Sequence, residues 1–178
     1  MTKLKAIIPV AGAGTRLRPF TYTQPKALIP VAGKPIISYI IDDLVNEGIQ
    51  DFIFIVGYFG EKIIDYVNEN YSNINCEFVF QAKREGLGQA VYLAKGYVDP
   101  KDELIIVLGD SLIEVPKSFY KASLSTLVIK KVKDPSKFGV VELNDREEVN
   151  HFVEKPKFPK SNYALTGLYK IVESELFF

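Results

Sequence analysis

Apolar positions in the first two-thirds of the chain alternate between continuous runs and segments of helical period. Ala6-Ile-Ile-Pro-Val10 is a short β-rich run that ends in a glycine-bearing loop. Lys34 to Gly48 sets Ile36, Ile37, Ile40, Ile41, Leu44 and Val45 on one side of a helix that Gly48 can end. Phe52-Ile-Phe-Ile-Val56 is apolar throughout, the pattern of a parallel strand buried on both faces. Glu61 to Asn70 reads as a helix with Ile63, Ile64 and Val67 facing inward, and Cys76 to Gln81 as a third strand. Leu87 to Tyr97 is a third helix, and Leu104-Ile-Ile-Val-Leu108 a fourth buried strand that ends in Gly109-Asp110. Strands alternating with helices predict right-handed crossovers and a mostly parallel sheet covered on both faces.

From Ser125 the pattern changes to strands alone: Thr126 to Val132, Phe138 to Leu143, Val149 to Glu154 and Tyr163 to Ile171. Asn144-Asp145-Arg146 suits a hairpin turn, so the last third is expected to be an antiparallel addition to the same sheet. Lys155 to Ser161, with two prolines and three lysines, reads as a loop within one domain.

Composition narrows the function classes without choosing one. The 178 residues carry 22 Lys+Arg against 22 Asp+Glu, a balance that argues against bulk attraction to nucleic acid or anionic membrane while allowing a local basic pocket. One cysteine, Cys76, excludes an intrachain disulfide and a multi-cysteine metal site; one histidine, His151, leaves no histidine pair. No apolar run approaches the ~18 to 20 residues of a membrane span. Met1 to Pro9 reads as a strand and not a signal peptide, so the expected setting is cytoplasmic.

Ligands of open α/β sheets bind outside the carboxyl ends of the strands, and three segments fall there. Gly12-Ala-Gly-Thr-Arg-Leu17 resembles two phosphate motifs and satisfies neither. A dinucleotide fingerprint needs a third glycine where Leu17 stands, and a P-loop needs Gly-Lys-Ser/Thr. Its glycines still let backbone approach phosphate, and Arg16 offers a planar charged fork; an ordinary strand-to-helix loop is the other reading. Lys26 follows Pro25 and precedes an apolar stretch that holds the loop down; otherwise it is a solvated charge. Asp110 at a strand end suits Mg²⁺, which takes one or two carboxylates plus substrate phosphates; otherwise it caps a turn.

Taken together, Gly12-Ala-Gly-Thr-Arg-Leu-Arg-Pro-Phe-Thr21, Gln24-Pro-Lys-Ala-Leu-Ile-Pro-Val31 and Gly33-Lys-Pro35 resemble the signature of sugar-1-phosphate nucleotidyltransferases. The likeness continues through Gln81, Glu85-Gly-Leu-Gly-Gln-Ala90, Leu108-Gly-Asp110, Phe138-Gly-Val-Val-Glu142, Val153-Glu-Lys-Pro156 and Asn162-Tyr-Ala-Leu-Thr-Gly-Leu-Tyr169. The last two segments look most like glucose-1-phosphate thymidylyltransferases. The resemblance implies a Rossmann-like three-layer α/β/α nucleotidyltransferase fold with a mostly parallel mixed sheet. It also implies a nucleotide-binding part over about residues 1–110 and a sugar-phosphate-binding part over about 111–178.

In that likeness Gly12, Gly14, Thr15 and Arg16 would hold the phosphates of the nucleoside triphosphate, and Lys26 would contact the reacting phosphates. Gln81 and Gly86 would meet the base edge. Gly139, Glu154, Lys155 and Thr166 would hold the sugar 1-phosphate, and Asp110 would ligate Mg²⁺. Arg16, Lys26 and Asp110 are the catalytic candidates. Where thymidylyltransferases usually continue Leu-Gly-Asp with asparagine, this chain has Ser111. Family members run longer than this chain, with a second metal-binding aspartate in a segment it lacks, so the implied fold is C-terminally short and its sugar-phosphate part incomplete. The implied reaction joins a sugar 1-phosphate, glucose 1-phosphate foremost, to dTTP or UTP, in a protein that can form a homo-oligomer. Two alternatives stand beside it: a catalytically impaired regulatory module of the same fold, and a nucleotidyltransferase for a non-sugar phosphate.

Overall fold

In the computed structural model, residues 3–83 and 85–178 are described; Met1 and Thr2, which open the strand-like N-terminal run, lie outside them. The elements are β1 (Leu4–Pro9), β2 (Pro30–Val31), β3 (Lys34–Pro35), α1 (Ile36–Asn46), β4 (Asp51–Val56), α2 (Gly60–Asn70) and β5 (Asn75–Phe80). They continue with α3 (Leu87–Tyr92), β6 (Glu103–Val107), β7 (Thr126–Lys131), β8 (Gly139–Leu143), β9 (Val149–Glu154), β10 (Tyr163–Ile171) and α4 (Ser174–Phe177). The chain divides into two compact units, Met1–Thr126 with Tyr169–Phe178, and Leu127–Leu168.

In the first unit β1 is central. It pairs in parallel with β4 on one side and β6 on the other, and β4 pairs in parallel with β5. The order is therefore β5-β4-β1-β6. The steps from β1 to β4 and from β4 to β5 go one way, and the step from β5 to β6 goes back. Crossovers of this kind are right-handed, so α1 and α2 cover one face and α3 the other. The core agrees: Ile7, Ile53, Ile55, Leu104 and Ile106 cluster with Ala90, Val91 and Ala94 around α3. Successive strand residues face opposite ways, which sends Ala6, Ile8, Phe52, Phe54 and Ile105 to the other face, where they too are buried. This double burial is why Ala6 to Ile8, Phe52 to Val56 and Leu104 to Val107 are apolar at every position.

Helix α1 buries Ile37, Ile40, Ile41 and Leu44. It ends as the sequence predicts: Gly48 takes φ +87 and donates to the Val45 carbonyl, while Ile49 donates to Leu44. That pair of bonds is a Schellman cap, which needs a left-handed residue where Gly48 stands. Among the described residues a single buried cation, Lys170, stands out. Its ammonium donates to the carbonyls of Tyr120 and Ala122 at 2.8 and 2.7 Å and pairs with Glu103 at 2.8 Å, so all three of its hydrogens have partners.

Two details differ from the sequence reading. The helix expected over Leu87 to Tyr97 is α-helical only to Tyr92 and then tightens into a 3-10 turn, Leu93–Tyr97, that contains Gly96. Final helical turns often tighten in this way. The stretch after Lys26, read as a loop, contains the β2–β3 ribbon, in which Pro30 faces Pro35 and Val31 faces Lys34. Ala32 and Gly33, at φ 47 and 96, close it with the positive-φ pair that matches strand twist.

In the second unit β8 pairs antiparallel with β9 and with β10, as expected for the last third. Asn144 organises the β8–β9 turn: its side-chain oxygen accepts from the backbone N–H groups of Arg146 and Glu148, both at 2.9 Å. Among the described residues, no helix is long and apolar enough to cross a membrane.

Candidate active site

The reversal of strand order leaves a switch point between the carboxyl ends of β1 and β6, where ligands of open α/β sheets bind. A cavity of about 540 Å³ opens there. Eight candidates from the sequence line it: Gly12, Gly14, Thr15, Arg16, Lys26, Gln81, Gly86 and Asp110.

The loop after β1 is shaped by its glycines and by a neighbour. Gly14 sits in the left-handed region at φ +60, and a Cβ there would lie 2.9 Å from Thr21 Cγ2 and 3.0 Å from Lys26 Cβ. Only glycine allows both the backbone conformation and the close packing. Thr15–Leu17 then form a 3-10 turn that leaves Arg16 exposed on the cavity lining. Gly12 is different, with open space where a Cβ would stand, so neither strain nor crowding requires glycine there.

Lys26 opens another 3-10 turn, Lys26–Leu28, pinned by buried Ala27. Its ammonium pairs with the Asp110 carboxylate across 84 positions of sequence. Gly109 brings Asp110 to that position: it packs against β1, where a Cβ would run into Val10 Cγ1 and come within 3.2 Å of the Pro9 carbonyl. Gly109→Ala is accordingly expected to lower stability by about 1–3 kcal/mol and to shift Asp110 away from Lys26. Chemical denaturation together with a crystal structure of the variant would check both.

At the opposite rim, the Gln81 N–H continues the ladder beyond β5 by donating to the Val56 carbonyl at 2.8 Å. Its side-chain amide donates to Gln89 Oε1 at 2.6 Å and to the Gly86 carbonyl at 3.3 Å. Gly86 needs its glycine for conformation, at φ +101. With both amide hydrogens engaged, the side-chain oxygen of Gln81 is the end left to accept a hydrogen bond.

The remaining candidates lie in the second unit. A Cβ on Gly139 would come within 3.2 Å of Glu154 Oε2 and 3.0 Å of Leu165 Cδ1, so glycine leaves room for the Glu154 carboxylate. Glu154 pairs with the Lys155 ammonium at 2.8 Å. Lys155 is held at φ +45, and its N–H donates to the Phe138 carbonyl at 3.0 Å. A non-glycine residue in that region is uncommon and is often found at binding sites. Thr166 turns its hydroxyl to the Val128 carbonyl at 2.7 Å, inside the sheet. Thr21, Gly109 and Gln89 were not singled out by the sequence reading; each acts on a residue that was, through contacts that no linear motif shows.

The fold and this cavity define an α/β protein whose candidate site is built from strand-end loops at a switch point. Residues 5–175 match the family model described as nucleotidyl transferase, and the chain belongs to that family. The bifunctional protein GlmU of Methanocaldococcus jannaschii is 42% identical over 167 residues, covering 94% of this chain and 40% of that protein. The UTP–glucose-1-phosphate uridylyltransferase AglF of Haloferax volcanii is 30% identical over 174 residues, covering 93% and 71%. A Bacillus anthracis protein provisionally assigned as a glucose-1-phosphate thymidylyltransferase, solved in complex with sucrose, superposes with a TM-score of 0.86 at 28% identity, covering 98% of this chain and 73% of that one. The chain thus spans about two-fifths of the length of the GlmU proteins it matches.

Proposed function

We propose that the chain carries the transfer site of a sugar-phosphate nucleotidyltransferase, in which glucose 1-phosphate and dTTP or UTP give a nucleotide-sugar and pyrophosphate. The observation that carries this reading is the cavity at the switch point, where the Gly12–Leu17 loop, Arg16, Lys26 and Asp110 converge. The substrates in the names of the Haloferax and Bacillus relatives support it. So does Gln81: its free carbonyl oxygen suits the N3–H of thymine or uracil, a donor that cytosine lacks.

The nucleophile is an oxygen of the sugar phosphate, whose second pKa is about 6, so it is already ionised near neutral pH. It attacks the α-phosphorus; the new P–O bond forms as the bond to the β-phosphate oxygen breaks, and the electron pair leaves with pyrophosphate. No proton moves, and no general base is required. His151, exposed on β9, has no part in it. The task left to the protein is to bring two anions into line and stabilise the leaving charge, which is positioning and electrostatics. We assign Gly12, Gly14 and Thr15 to the triphosphate, Arg16 to the leaving pyrophosphate, Lys26 to the reacting phosphates, and in the second unit Lys155 to the sugar 1-phosphate. Gly86 meets the base edge, Glu154 accepts from sugar hydroxyls, Gly139 gives its carboxylate room, and Thr166 completes that part.

The family generally uses divalent metal ions. Among the described residues, Asp110 is the one carboxylate on the cavity lining, and no group of three or more His, Cys, Asp or Glu side chains could hold a metal. That donor set fits Mg²⁺, which takes one or two carboxylates and completes its shell with phosphates and water. When bound, the ion would neutralise charge on the triphosphate and the sugar phosphate. A cytoplasmic location and a homo-oligomer belong to the same reading.

The test is pyrophosphate release from each nucleoside triphosphate with a panel of phosphorylated sugars and alcohols. Release with dTTP or UTP and a hexose 1-phosphate is expected. Release with alcohol phosphates alone would replace the sugar by a non-sugar substrate, and nucleotide binding without release would make the chain a regulatory module.

A further inference from the structure

Thr21 is 1% exposed in the 3-10 turn Phe20–Tyr22, and no role described above belongs to it. Its hydroxyl donates to the Gly14 carbonyl at 2.9 Å, and the same carbonyl accepts from the Leu17 N–H at 2.8 Å. Both lone pairs of that oxygen are therefore taken, and both bonds act on one peptide plane, the one joining Gly14 to Thr15.

A trans peptide carries its C=O and its N–H on opposite edges. With the Gly14 carbonyl drawn onto a buried hydroxyl, the Thr15 N–H is turned the other way. Gly14 and Thr15 both line the cavity. The opposite orientation would present a carbonyl oxygen to any anion in the cavity. Glycine leaves ψ on its own side of that plane free to take either orientation, so Gly14 itself does not choose between them. The choice falls to what holds the carbonyl: the Leu17 N–H within the turn, and Thr21, which adds the side-chain bond. The Thr21 methyl adds a second restraint, since it packs under Gly14 on the side where Lys26 Cβ also lies. One buried threonine thus touches the loop that carries Arg16 at the point where that loop meets Lys26.

We propose that Thr21 is a positioning residue: its hydroxyl fixes the Gly14–Thr15 peptide so that the Thr15 N–H faces a bound phosphate. This rests on the phosphate-holding role proposed for the loop, but not on turnover.

The experiment follows the Thr15 amide of the ¹⁵N-labelled full chain during titration with inorganic pyrophosphate. Two pairs of proteins isolate the hydroxyl: wild type against Thr21→Val, which keeps the branched shape, and Thr21→Ser against Thr21→Ala, which lacks the methyl in both members. In wild type and Thr21→Ser the Thr15 amide is expected to move downfield on binding. In Thr21→Val and Thr21→Ala that shift is expected to vanish and pyrophosphate affinity to fall about tenfold, the low end for a lost hydrogen bond that serves a charged group. Amides of β1, β4 and β6 stay in place in every variant that folds, which separates a flipped peptide from a damaged core. If Thr21→Val does not fold, the serine and alanine pair still decides. A Thr15 shift that survives loss of the hydroxyl overturns the proposal, as does pyrophosphate binding that leaves the wild-type Thr15 amide unmoved. Wild type that binds no pyrophosphate overturns the loop's role and this proposal together. A responsive amide in a chain that releases no pyrophosphate from any triphosphate overturns only the proposed transfer.

Discussion

Lys26→Ala is expected to cut turnover by about a hundredfold to a thousandfold, the usual loss when one preorganised electrostatic group is removed from charge that develops in the transition state. Nucleotide affinity is expected to change far less. Lys26 is fixed by its 3-10 turn and by contact with the Gly12–Leu17 loop, and its ammonium already lies on the cavity side, paired with Asp110. In the proposed role it is therefore placed before substrate arrives, and its value would rise as negative charge builds on the reacting phosphates. Lys26→Arg is not expected to restore the rate, because a planar fork cannot replace a compact point charge at the same distance. Steady-state kinetics with calorimetric nucleotide binding would check this. Equal losses of binding and turnover would reduce Lys26 to a docking contact.

Asp110→Asn is the second large effect. The substitution keeps the shape of the side chain but removes the charge that pairs with Lys26 and that, in the proposed role, attracts a divalent cation. Turnover is expected to fall by a similar factor, about 10² to 10³, and the dependence of the residual rate on Mg²⁺ concentration to disappear. A readout independent of activity is Mn²⁺ binding to the nucleotide-loaded protein by paramagnetic resonance, which is expected to weaken strongly in the variant. An unchanged metal titration would remove Asp110 from the metal site and leave it as the partner that orients Lys26.

Much of this architecture is legible in the sequence because burial on two faces leaves a simple trace. Phe52 to Val56 and Leu104 to Val107 could be read as central strands since each side of the sheet is covered and every position must be apolar. The left-handed residue at Gly48 and the turn at Asn144 are equally local, and both were found. What stayed hidden depends on contacts between distant segments. Nothing near Lys26 in sequence marks Asp110 as its partner, and nothing in Leu-Gly-Asp says that Gly109 is small because Val10 stands against it. Lys170 reads as one more charge on a strand, yet three oxygens from Glu103, Tyr120 and Ala122 enclose it. Thr21 sits inside the motif that pointed to the family, but its role became visible only when its hydroxyl was found on the Gly14 carbonyl.

The central claim is that this cavity joins two phosphate esters directly. Its most direct test is a ³¹P spectrum of the chain with dTTP, glucose 1-phosphate and Mg²⁺, followed over time. The triphosphate and sugar-phosphate signals are expected to decline together while a diphosphate-ester pair and pyrophosphate grow in equal amounts. Persistence of both starting signals, or release of inorganic phosphate with no diphosphate ester formed, would contradict it.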